Sequence, residues 1–233
     1  MLKRFLSLLL VLLSLVFPFA GHAQREYSPN LALGGRAGAT LSRMSFSPEV
    51  HQNFSPGLTM GLCVRYTEEN FFGLSAEVNL TQRGWAENFE RDNAPEYSYT
   101  RTLTYLSIPL LTHIYFGSQS VKGFFNLGPE VNFMLTDDIN ANFDYANYAD
   151  IPGFPKGNRT DEQLNMNIDR RFDYGIAGGV GVEFNIKKRH SFMLEGRYYF
   201  GLGNIFKDSK RDFFSASRNQ SIEVTLKYMF RIK

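Results

Sequence analysis

The segment Phe172–Leu202, FDYGIAGGVGVEFNIKKRHSFMLEGRYYFGL, decides the fold. Its first half sets Phe172, Tyr174, Ile176, Val180, Val182 and Phe184 against Asp173, Gly175, Ala177, Gly179, Gly181 and Glu183. Its second half sets Phe192, Leu194, Tyr198, Phe200 and Leu202 against Met193, Glu195, Arg197, Tyr199 and Gly201, and only Lys187 to His190 separates the two. Alternation at period two, with β-branched and aromatic residues on one side only, predicts a pair of antiparallel strands. One face is bulky and apolar, and the other is small, glycine-rich and sparsely charged.

Working outward, the same pattern recurs six more times. Bulky faces are formed by Leu31 to Leu41, Leu58 to Tyr66, Phe72 to Leu80, Leu106 to Phe116, Phe125 to Phe133 and Ile222 to Phe230. Pro109 and Pro129 each remove a ladder donor, so bulges are expected beside them. A soluble sandwich buries bulky faces, whereas a membrane barrel turns them to lipid. Connection lengths separate the two. Short joins (68–70, 117–120, 187–190) alternate with long ones (43–55, 84–99, 136–170, 203–217), the habit of a barrel with tight turns at one end. Aromatics also sort by strand end. Tyr66, Phe72, Phe116, Phe125, Phe184, Phe192, Tyr228 and Phe230 gather at the short-turn end, and Trp85, Phe133, Phe172 and Phe200 near the long-loop end. Two aromatic girdles are the mark of interfacial anchoring. The expected fold is all-β: an eight-stranded antiparallel up-and-down transmembrane β-barrel.

Lys3 and Arg4 precede an apolar stretch from Phe5 to Phe19, followed by Ala20-Gly21-His22-Ala23, which puts small residues at the −3 and −1 positions of a cut before Gln24. This pattern predicts a cleaved export signal over 1–23 and a barrel domain over 24–233, with Gln24 the first mature residue. Removing Lys3 and Arg4 leaves 23 basic and 23 acidic residues, a balance that gives no support for nucleic acid as a partner. One cysteine, Cys63, excludes an internal disulfide framework and a cysteine-rich zinc site.

The ordered pieces GGRAGATLS (34–42), SAEVNLTQRG (75–84), YLSIPLL (105–111), FNLGPEV (125–131), YGIAGGVGVEF (174–184), EGRYYFGLGNI (195–205) and LKYMF (226–230) resemble the PorT-like outer-membrane β-barrel family of the Bacteroidetes. The resemblance implies an eight-stranded outer-membrane barrel, a connection to protein secretion through the founding member, and no catalytic motif. The chain departs from the usual terminal aromatic, ending Arg231-Ile232-Lys233, which shifts the assembly signal to Tyr228 and Phe230.

No catalytic, cofactor-binding or metal residue is expected. The inward charges Arg36, Arg65, Glu77, Glu130, Glu183, Glu195, Arg197, Glu223 and Lys227 set five carboxylates against four cations, which mutual pairing inside a narrow barrel explains. Asp138, Asn140, Asn142 and Asp144 mimic the start of a calcium loop, but Phe143 and Ala149 stand where Gly and Glu are needed, so an extended strand is expected. Ser107 and His113 share a face, but six residues of strand put them ~20 Å apart, beyond catalytic reach. The expected partners are outer-membrane lipid, the barrel assembly machinery, and an extracellular or secretion-system protein bound through loop 136–170, which carries Tyr145, Tyr148 and Phe154. The expected function is a non-enzymatic structural, accessory or surface-recognition barrel in a Gram-negative outer membrane; a small channel or uptake porin is the alternative.

Overall fold

The computed structural model describes residues 30–68, 71–155, 161–187, 189–209 and 211–232; the export signal expected over 1–23 lies outside them. Among the described residues nine strands form: β1 (Asn30–Ser47), β2 (Gln52–Asn53), β3 (Ser55–Thr67), β4 (Phe72–Glu87), β5 (Tyr99–Gly117), β6 (Val121–Ala141), β7 (Phe172–Ile186), β8 (His190–Gly201) and β9 (Ala216–Arg231). Every pairing is antiparallel between neighbours. The β1–β9 ladder closes the ring, which leaves eight strands in the barrel and the two-residue β2 attached to β4.

The polarity is inverted relative to a water-soluble protein. Leu62, Leu226 and Val180 are 73%, 68% and 62% exposed, while Glu195 is fully buried. A continuous exposed apolar wall around a charged interior is stable only in lipid. All eight facing assignments hold: odd and even positions fall inside and outside as the alternation requires.

Three features depart from the sequence expectations. The register does not shift at either proline, although the ladders of β5 lapse for two pairs beside them; Pro109 faces Glu130 and Pro129 faces Ile176. The irregularity in the β5–β6 ladder falls instead between Thr104 and Tyr105. Each proline thus gives up a ladder bond without an inserted residue. Second, the strands outrun the apolar pattern: β4 reaches Glu87, β5 starts at Tyr99 and β6 continues to Ala141. A bilayer needs only ~10 residues of strand, and beyond it the outward positions need not be apolar, although the backbone still pairs. Asp138 and Asn140 therefore lie in β6 opposite Thr102 and Thr100, an extended strand as expected. Third, Trp85 belongs to no girdle. It is completely buried, whereas Phe133, Phe172 and Phe200 face outward.

Candidate functional site

Inside the barrel, charged side chains meet in layers. Nearest the short turns, Arg65 grips Glu183 through two bonds, Nη1 to Oε2 at 3.0 Å and Nη2 to Oε1 at 2.8 Å. His113 Nε2 lies 3.2 Å from the same guanidinium, and its Nδ1 lies 2.8 Å from Asn126. Beneath them Ala32, Cys63, Tyr115, Phe124, Met193 and Met229 form a small apolar floor. Cys63 packs there, its Sγ 3.1 Å from Met229 Sδ, as a small inward residue should.

The middle layer turns on Glu77, which accepts from Arg36 at 2.6 Å, Arg197 at 2.8 Å and Lys227 at 2.6 Å. Glu195 shares Arg197 and Lys227. Above it, Arg83 joins Glu130 at 2.7 Å to Glu223 at 3.1 Å, with its guanidinium 3.9 Å from the ring centre of Tyr199. Arg83 and Asp173 correct the sequence count: six inward carboxylates face five cations, rather than five facing four. Arg83 continues the inward alternation of β4 past Thr81, where the apolar outer face of the sequence pattern ends. Tyr199, Asp173, Asn219 and Tyr105 then form a hydrogen-bonded polar layer, Tyr199 donating to Asp173 at 3.0 Å and Asn219 to Tyr105 at 3.0 Å. Buried, ion-paired side chains cross the lumen in each of these layers, as expected of an eight-stranded barrel whose interior is only wide enough for its own side chains.

Ser107 and His113 stay apart as expected. Ser107 is buried near mid-strand, and His113 is engaged by Arg65 and Asn126. His51 pairs instead with Asp92 at 2.9 Å in the long-loop region, and His190 lies 2.7 Å from the Tyr228 hydroxyl at the other end. Among the described residues, no three His, Cys, Asp or Glu side chains are grouped to hold a metal.

At the long-loop end the connections are not separate loops. Met44, Phe46, Val50, Trp85, Phe89, Tyr99, Phe154, Leu164, Ile205, Phe206 and Phe214 form one buried core. Trp85 stands edge-on to Phe46, with centroids 5.3 Å apart, and donates from Nε1 to Glu87 at 2.9 Å. Tyr97 and Phe154 rings meet at 5.1 Å, and Phe89 and Phe143 at 5.6 Å. Polar clamps complete the lobe: Tyr99 donates to the Leu164 carbonyl at 2.9 Å, and Arg101 to Asp137 and the Met166 carbonyl at 2.7 Å each. The segment 136–170 is thus part strand, part packed lobe, rather than a wholly hydrated loop. Tyr145 and Tyr148 are only partly buried against this core, while Phe154 is inside it. Asp144 caps the short helix at Tyr145–Asp150, accepting from the Ala146 amide.

A closed ring of long tilted strands with lipid-facing aromatics and a charged, filled interior defines an outer-membrane β-barrel. The chain matches the outer membrane protein beta-barrel domain family over residues 22–207, and it belongs to that family. Its place is the outer membrane of a Gram-negative bacterium. The fold is similar to that of OprG, an outer membrane protein of Pseudomonas aeruginosa, with a TM-score of 0.53 at 10% identity over 88% of this chain and 96% of OprG. Neisserial surface protein A is similar at a TM-score of 0.44 and 15% identity, over 85% of this chain and 97% of its own. Among curated proteins, none matches this chain.

Proposed function

We propose that this protein is a non-enzymatic accessory or surface-recognition barrel whose working part is the lobe at the long-loop end. The observation that carries the reading is the single aromatic core joining all four long connections. Ordering so much chain costs conformational entropy, and a rigid scaffold that presents loops is a common basis of recognition. Long loops of such barrels face outward and short turns face the periplasm, so the lobe stands on the cell surface. The resemblance to the PorT-like family extends the proposal to an accessory role in protein secretion, with an extracellular or secretion-system protein as partner. The filled, ion-paired lumen weighs against the channel reading.

Epitope tags test the presentation. A tag after Gly153, an exposed position, should be labelled on intact cells, and one after Lys187 only once the outer membrane is opened. A photo-crosslinker at Tyr148 should then give a discrete protein adduct that one at Leu226 does not. Labelling at Lys187 alone, or no adduct specific to the lobe, would refute the reading.

A further inference from the structure

The outer wall carries a hollow of about 430 Å³ where β7 emerges from the lobe, and it lies beside the lipid-facing surface. Its lower side is apolar: Phe172, Tyr174 and Leu202 are all exposed, and the rings of Phe133, Phe172 and Tyr174 follow one another at 5.3 and 6.1 Å. Aromatic rows of this kind sit at the level where acyl chains give way to headgroups. Directly against this row stand Arg170, Arg171 and Arg218.

The hollow is held open by its own backbone. The Arg170 amide donates to the Ile205 carbonyl at 3.2 Å, and the Arg171 carbonyl accepts from Met134 at 2.7 Å. The Leu202 amide donates to the Tyr174 carbonyl at 2.8 Å across the floor. Asp208 is the one acid lining it, and Arg170 at 2.7 Å and Asn204 at 2.8 Å both bond it. Those bonds hold its carboxyl below the usual range, so it stays ionised and offsets one arginine. Among the described residues, neither Arg171 nor Arg218 has a carboxylate partner, and Arg218 Nε is buried without an acceptor. Two guanidinium charges are left over at headgroup depth.

From this geometry we infer that the hollow is a binding site for the phosphate-bearing headgroup of an outer-membrane lipid. The acyl chains lie down the Phe172–Tyr174–Leu202 wall, and the phosphate takes the free donors of Arg171 and Arg218. Guanidinium forks match phosphate oxygens in shape and charge, and a boundary site recruits both halves of an amphiphile. The site is independent of which end of the barrel faces outward, so its test is separate from that of the surface-recognition reading.

Native mass spectrometry of the full mature chain in neutral detergent reads the site directly, with lipid A as probe and a zwitterionic lipid of matched chains as reference. The wild type should retain lipid A selectively. The double variant Arg171→Gln/Arg218→Gln should bind about thirtyfold more weakly, at roughly one surface cation's attraction for each charge removed. Arg171→Lys/Arg218→Lys should recover part of that loss, and Lys187→Gln at the opposite end should change nothing. Equal lipid A retention by wild type and the Gln double variant, with heat-modifiable migration intact in both, would overturn the inference. So would displacement of lipid A by equimolar inorganic phosphate, which would make the site one for the free ion.

Discussion

Arg83 and Glu130 meet at 2.7 Å in the centre of the barrel, both completely shielded, with Glu223 at 3.1 Å on the other side of the same guanidinium. They come from β4 and β6, which are separated by β5 in the ring. Glu223 comes from β9, three strands from both, so Arg83 ties together three walls of the lumen rather than two strands of one ladder. Removing one partner of such a pair leaves an uncompensated charge, which costs far more than the pair contributes. Arg83→Met should destabilise the refolded barrel by about 3–5 kcal/mol in urea titrations, and Arg83→Met/Glu130→Gln by less. A larger loss in the double variant than in the single would contradict the bracing role.

Leu110 faces lipid on β5, 54% exposed, and Ser107 faces the lumen on the same strand. Leu110→Arg should cost about 2–4 kcal/mol near mid-bilayer, as charged substitutions on a lipid face do. Ser107→Arg escapes that transfer cost and meets only crowding against its neighbours. Equilibrium refolding in lipid vesicles measures both, and a neutral Leu110→Arg would reverse the facing of the strand.

Trp85 is the only tryptophan, and it lies inside the lobe core rather than at the bilayer surface. Its emission should be blue-shifted and unaffected by brominated lipids. Phe172→Trp, placed in the aromatic row, should add an emission component that those lipids quench. Quenching of Trp85 itself would return it to the girdle.

Leu164 is fully buried in the lobe, where its carbonyl receives the Tyr99 hydroxyl. Leu164→Ala should cost about 2–5 kcal/mol of local stability through the cavity it leaves. The expected readout is faster proteolysis within 142–171 with heat-modifiable migration retained, because no pairing that closes the ring involves that segment. Unchanged proteolysis would mean that the lobe core is not cooperative.

The barrel was legible because lipid imposes period two on every spanning residue. Leu62, Leu110 and Leu226 must be apolar, and Cys63, Leu111 and Lys227 must fit inside. The inward charges were legible for the same reason: Glu77, Glu130 and Glu183 stand on faces of small or polar residues, and Glu195 and Glu223 share theirs with Arg197 and Lys227. What lies above the bilayer was not. There the outward positions no longer have to be apolar, so β5 still alternates Tyr99, Arg101 and Leu103 against Thr100, Thr102 and Thr104 but shows no apolar outer face, and β6 runs past Phe133 into Asp137, Asp138 and Asn140. Arg83 was lost at that boundary, and Trp85 was placed by depth alone. The lobe core draws Phe46, Phe89, Phe154 and Phe214 from four connections at irregular spacing, and only the closed ring brings them together.

The account rests on a lumen filled from floor to lobe, so that the protein works through its surfaces. Single-channel recording of the refolded wild type in planar bilayers measures this most directly. A closed lumen gives no current steps above the bare membrane, and weakening the Arg83–Glu130 brace by Arg83→Ala/Glu130→Ala should introduce them. Regular conductance steps from the wild type would contradict the account and make the protein a small channel.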